Sequence, residues 1–170
     1  MVLGMTLQTF TLVHVALSLA GIASGFVVAY GLLHNERLDR WTAIFLATTA
    51  LTSLTGFLFP FKGLTPGIIL GVISVIVLTI AYVARYSTHL AWRKTYVVTA
   101  VIALYLNVFV LVVQSFEKVN ALKQLAPTQK EPPFAIAQLL VLVAFVVLTV
   151  LAAKRFRGES TKLRTMGKAA

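Results

Sequence analysis

Cysteine is absent from the 170-residue chain. That excludes disulfides, thiolate metal sites, iron–sulfur clusters and haem attached through cysteine pairs. Acidic residues are scarce as well, 5 against 15 lysines and arginines. Glu36, Asp39, Glu117, Glu131 and Glu159 all lie in connections, at the ends of apolar runs or in the tail, so no carboxylate remains at a membrane midplane. This argues against a carboxylate-driven proton pump, a di-metal carboxylate bundle and an intramembrane aspartyl protease, all of which need interior acids. The chain has no HExxH, GxxxxGK or GxSxG, which leaves a dedicated enzyme the less expected class.

What is abundant is apolar. Hydrophobic residues make up 59% of the chain and charged ones 12%, and the mean hydropathy is +0.91. Those values predict an all-α, polytopic transmembrane helix bundle. A spanning helix needs roughly 20 mainly apolar residues for a hydrocarbon core of about 30 Å. Five segments qualify, namely Leu7 to Leu33, Trp41 to Pro60, Pro66 to Tyr86, Thr95 to Phe116 and Phe134 to Ala153. The expected organisation is one bundle over 1–153 and a basic tail over 154–170 that is disordered towards its end. The start, MVLGMTLQTF, has no basic region, and its apolar run outlasts a signal-peptide core, so a retained span is expected.

The formal net charge is +10. Nucleic acid is not the expected partner, because the cations fall between and after the apolar runs and are not interleaved with aromatics as in a strand-binding groove. Alternating spans place eleven basic residues on one side and four on the other. Lysine and arginine are retained in the cytoplasm during insertion, which predicts an outside N-terminus and a cytoplasmic C-terminus. Arg37, Arg40, Trp41, Arg85, Trp92, Arg93, Lys94, Lys154, Arg155 and Arg157 then lie at the cytoplasmic margin as headgroup and interface anchors, with membrane lipids as their partners.

His14, Ser18, Gly21 and Gly25 share one face of the first helix, at steps of four, three and four residues. Gly21 with Gly25, and Gly67 with Gly71, form GxxxG pairs that favour close helix packing, either within the chain or in a homo-oligomer. The second helix carries Thr48, Thr52 and Thr55 in one stripe, with Thr49, Ser53 and Gly56 beside it. Such hydroxyls bond back to helix carbonyls or across to a neighbour. FPFKGLTPG makes a tight antiparallel turn between helices two and three. VNALKQLA, in the long fourth connection, reads as an amphipathic turn, followed by an extended proline-stiffened stretch. No internal repeat points to an inverted-repeat transporter.

Two carboxamides interrupt the fourth run. Asn107 lies about twelve residues into it, roughly 18 Å deep and near the midplane, and Gln114 follows seven residues later near the outer boundary. His14, Thr55 and Gln138 fall at similar outer depth. If the faces converge, His14, Thr55, Gln114 and Gln138 form an outer-leaflet ring above Asn107, able to hold a quinone or another polar-headed lipid; otherwise the same groups bond helix to helix. For haem b, His14 and His34 are about 30 Å apart along one helix axis and cannot share the group. A single axial ligand, or two His14 side chains across a homodimer, remains open. No metal site is expected.

The run WRKTYVVTAVIALYLNVFVLVVQSF, followed by LAPTQKEPPF, resembles a group of small multi-pass bacterial inner-membrane proteins. The resemblance implies a bacterial inner-membrane location and carries no activity with it. The leading functional expectation is a non-enzymatic accessory or interaction subunit of a membrane complex, with no cofactor. The alternative is a quinone-, lipid- or haem-binding bundle with its site in the outer leaflet. A small-solute channel or transporter comes third, because the inner half of the spans is mostly Ala, Val and Thr.

Overall fold

The computed structural model describes residues 2–60, 63 and 65–158. Three residues of the turn read as FKGLT, and the tail from 159 onward, lie outside the described residues.

Each of the five apolar segments forms a helix, and a short sixth helix occupies the long connection. In order they are α1 (Leu7–His34), α2 (Asp39–Gly56), α3 (Pro66–Tyr82), α4 (Arg93–Lys118), α5 (Asn120–Leu125) and α6 (Pro132–Arg155). The boundaries follow local chemistry. Thr6 caps α1 by accepting from the Thr9 amide at 3.2 Å, and Asn35 ends that helix in the left-handed region at φ 57°. Thr65 caps α3 with Pro66 in its first turn, and α6 also opens on proline. At these positions proline loses no helical hydrogen bond. α5 is the helical turn expected in VNALKQLA.

α3 runs into a π-helical turn, Val83–Ser87, closed by the Thr88 amide on the Val83 carbonyl at 3.0 Å. Such widened turns are rare and often lie at functional sites.

Four of the helices are long and apolar enough to cross a membrane: α1, α3 with its π turn, α4 and α6. α2 is not in that set. Its 18 residues begin with Asp39 and Arg40 and include six Thr or Ser hydroxyls.

The helices close a ring in chain order. α1 packs on α2, α2 on α3, α3 on α4, α4 on α6 and α6 on α1, with α4 also touching α1 across the ring. α4 is the centre of the core, burying Tyr96, Val97, Ala100, Val101 and Leu104. α3 buries only Leu78 and Ala81, and α6 only Phe145 and Ala152. Their outer faces are valine, leucine and isoleucine exposed at 40% or more, such as Ile76, Leu140 and Val147. An apolar exterior on helices of this length is what lipid solvates.

The Gly21–Gly25 face is used inside the chain. A Cβ on Gly25 would lie 2.5 Å from Leu104 Cδ1 and 2.9 Å from Phe45 Cε2, and one on Gly21 would lie 3.0 Å from Thr49 Oγ1. The sequence expectation of a second copy against this face therefore meets a surface that α2 and α4 already fill. Gly71 packs beneath Phe57 in the same way, while Gly67 is exposed.

Candidate functional site

The four polar residues expected to form an outer ring, and Asn107 expected beneath it, separate into distinct contacts. His14 Nδ1 lies 2.8 Å from Thr55 Oγ1. Thr55 Oγ1 also lies 2.7 Å from the Leu51 carbonyl and 3.1 Å from that of Thr52, and in the arrangement that sends its single proton to a carbonyl, His14 Nδ1 is the donor. The imidazole lone pair is then on Nε2. The half-buried ring meets Phe59 edge-on at 5.2 Å.

Asn107 bonds elsewhere, donating from Nδ2 to Thr49 Oγ1 at 3.1 Å, in the space left by Gly21. Gln138 donates from Nε2 to the Phe109 carbonyl at 3.2 Å and leaves Oε1 buried without a partner among the described residues. Gln114 is exposed and makes no hydrogen bond among those residues. Of the five, only His14 and Thr55 share a hydrogen bond among the described residues.

Three further hydroxyls of α2 bond back to their own helix: Thr48 to Ile44, Thr52 to Thr48 and Ser53 to Thr49, at 2.7, 2.9 and 3.0 Å. The other histidines lie apart from His14. His34 bonds the Tyr30 carbonyl at 2.9 Å and stacks on the Tyr30 ring at 4.0 Å, and His89 is exposed. No group of three or more His, Asp or Glu side chains arranged for a metal ion occurs among the described residues.

A cluster that sequence reading did not assemble lies at the opposite end. Arg85, from the π turn, is buried, its side chain only 2% exposed, and it is paired with the carboxylate of Asp39, which is 64% exposed. The Arg85 guanidinium lies over the Tyr96 ring, 4.9 Å from its centroid. Tyr96 is fully buried and shares a 3.4 Å hydrogen bond with Thr42. Arg37 approaches the same carboxylate at 3.6 Å, and the Nε atoms of Arg37 and Arg85 are buried without partners among the described residues.

Arg85 is thus drawn inward by a carboxylate and an aromatic face, in contrast to the headgroup position expected for it. The signal was present in the sequence. Leu78, Ala81 and Arg85 follow steps of three and four along the core stripe of α3. The other expected anchors, Arg40, Trp41, Trp92, Arg93, Lys94, Lys154, Arg155 and Arg157, are exposed, and Arg37 is half-buried. At this end the chain leaving α6 is also fastened, the Arg157 amide donating to Asn35 Oδ1 at 2.6 Å beside buried Phe156.

Between α2 and α3 runs an open groove of about 500 Å³. Its α2 wall extends from Ala43 to Leu54 through Ala47 and Ala50, and its α3 wall from Val75 to Tyr86. The small alanines leave the space between the helices unfilled at side-chain level, and Tyr82 and Tyr86, with ring centroids 4.9 Å apart, stand at the basic end. The chain matches no protein-family model, no curated protein and no solved structure, so the likeness carried by residues 92–116 finds no counterpart in these comparisons.

Proposed function

We propose that this chain is a five-span protein of the bacterial inner membrane, N-terminus outside and C-terminus in the cytoplasm, acting as a non-enzymatic accessory or interaction subunit. Support for a crossing α2 comes from its two ends: Asp39 meets Arg85 at one end of the bundle and Thr55 meets His14 at the other. Support for the orientation comes from charge. Among the described residues, Arg37, Arg40, Arg85, Arg93, Lys94, Lys154, Arg155 and Arg157 share one end, and only Lys118, Lys123 and Lys130 the other. That is the asymmetry which retains a loop in the cytoplasm.

The observation that carries the subunit role is where the interior amides go. Asn107 and Gln138 bond to neighbouring helices, the ordinary use of carboxamides as adhesion in lipid. The exterior of α3 and α6 is left for lipid and other spans. Two experiments test this reading. The cysteine-free chain takes single reporters, Gln8→Cys, Lys123→Cys and Lys154→Cys. In intact cells a membrane-impermeant maleimide should label the first two and spare the third; labelling of Lys154→Cys together with Gln8→Cys would mean an even number of spans. The subunit role predicts a complex of fixed stoichiometry in native membranes solubilised in mild detergent, and a purely monomeric particle would overturn it.

One observation favours a second reading, the ligand-holding bundle. With Nδ1 turned to Thr55, His14 has no Nε2 partner among the described residues, which leaves that atom to serve as acceptor or ligand. A quinone extracted with the purified protein, or a haem spectrum lost in His14→Ala, would favour this reading over the first.

A further inference from the structure

The α2–α3 groove has the dimensions of a lipid tail. Each wall covers eleven residue steps, Ala43 to Leu54 and Val75 to Tyr86, hence about 16 Å along the helix axis. That is close to the hydrocarbon depth of a single leaflet, about half of the ~30 Å core. Its volume of about 500 Å³ lies within the roughly 300–1,000 Å³ of small-ligand sites, whereas a partner helix about 10 Å across would stand mostly outside it.

The lining offers a tail nothing polar to displace. The Thr79 hydroxyl is already donated to the Val75 carbonyl at 2.8 Å, and the alanines present only methyl groups. Polar atoms gather at one end, where the tyrosine pair stands at the depth at which aromatic rings with a polar tip meet headgroups.

The charge at that mouth is also specified. Asp39 lies one helical turn before Ala43, with its carboxylate taken by Arg85 and Arg37. Glu36 and the exposed Arg40 complete the local set, leaving three cations against two anions. The whole end adds five more basic residues and no further acid among the described residues.

We infer that the α2–α3 groove holds one acyl chain of an anionic glycerophospholipid from the leaflet at the basic end, its phosphate facing Arg40 and the Tyr82–Tyr86 pair. The inference rests on the membrane-spanning reading but not on the accessory-subunit role. It also gives α2, the least apolar long helix, an apolar filler on the flank that neither α1 nor α4 covers.

The test is native mass spectrometry of the full chain purified from vesicles of equal phosphatidylglycerol and phosphatidylcholine. Wild type should retain one phosphatidylglycerol in preference to phosphatidylcholine. Ala47→Phe, which fills the groove, should cut retention at least tenfold. Val147→Phe, on the exposed face of α6, should leave retention unchanged and controls for added bulk. Arg40→Gln should lower the preference for the anionic lipid about fivefold, the effect of one cation at ~1 kcal/mol beside anionic lipid. If Ala47→Phe fails to fold, Ala43→Leu takes its place.

No retained lipid, or equal retention by wild type and Ala47→Phe, would overturn the inference. Equal retention of both lipids would overturn its anionic part. A second copy or a peptide seated in place of lipid would replace it with helix docking. Release of the chain from vesicles by alkaline carbonate would instead overturn the membrane reading itself.

Discussion

The two ends of the bundle are fastened by different chemistry. At the basic end a carboxylate ties two guanidiniums, one of them buried over a tyrosine ring, and an asparagine holds the chain leaving α6. At the opposite end every cross-helix tie among the described residues is neutral: His14 to Thr55, Gln138 to a carbonyl, Phe10 to Phe59 at 4.9 Å and Phe116 to Phe134 at 5.4 Å. A buried guanidinium is tolerable where its partner carboxylate remains largely in water, since only one of the two ions carries the full desolvation cost. Neutral groups carry no such cost and can work at greater depth.

The largest expected effect comes from cutting the charged tie on one side only. Asp39→Ala leaves Arg85 buried and unpaired, and should cost about 1–3 kcal/mol, discounted from the fully buried case because Asp39 is largely solvated. Arg85→Met removes the charge and keeps most of the volume, so it should cost clearly less. Reversible unfolding in mixed micelles measures both, and equal losses would mean that the pair acts through packing alone.

Next come the neutral ties. Asn107→Leu and His14→Ala should each cost about 1 kcal/mol or less, the usual scale of a hydrogen bond between membrane helices. A loss as large as that of Asp39→Ala would erase the distinction between the ends.

The smallest effect concerns Glu131, in the connection before α6. Desolvation pushes its carboxyl upward, but hydrogen bonds from the Thr128 hydroxyl and from the Thr128 and Lys130 amides outweigh this and hold it below the ordinary carboxylate value. A carboxyl lowered by folding contributes stability above its unfolded pKa, and the contribution is lost as pH falls through the folded value. The protection of amides 128–131, relative to the intrinsic exchange rate at each pH, should therefore fall on acidification below the ordinary glutamate range, and Glu131→Gln should abolish that dependence.

The helices were legible because apolar runs bounded by proline, glycine and charge leave little choice of structure in a chain this apolar. The core side of Gly21 and Gly25 was legible as a small face, though not which helices would fill it. The outer ring was not legible. Residue counting gives depth along a helix axis but not rotation about it, so Gln114, level with His14 by depth, faces outward while Gln138 turns to the Phe109 carbonyl. The His14 tautomer depends on where Thr55 sends its own proton, which no sequence pattern records. Arg85 was visible on the stripe of Leu78 and Ala81, but the ordinary habit of arginine at a membrane margin outweighed that spacing.

Closure of the ring in chain order has a consequence for biosynthesis. α2, with its hydroxyls and its charged start, would partition poorly into lipid alone, yet its most extensive contacts are with the helix made just before it. The Gly21–Gly25 face of α1 receives Phe45 and Thr49 directly. If α2 crosses the bilayer as proposed, the first two helices form one insertion unit, and a bulky residue at Gly25 should leave α2 stalled outside the lipid during synthesis, well before the finished bundle is tested for stability.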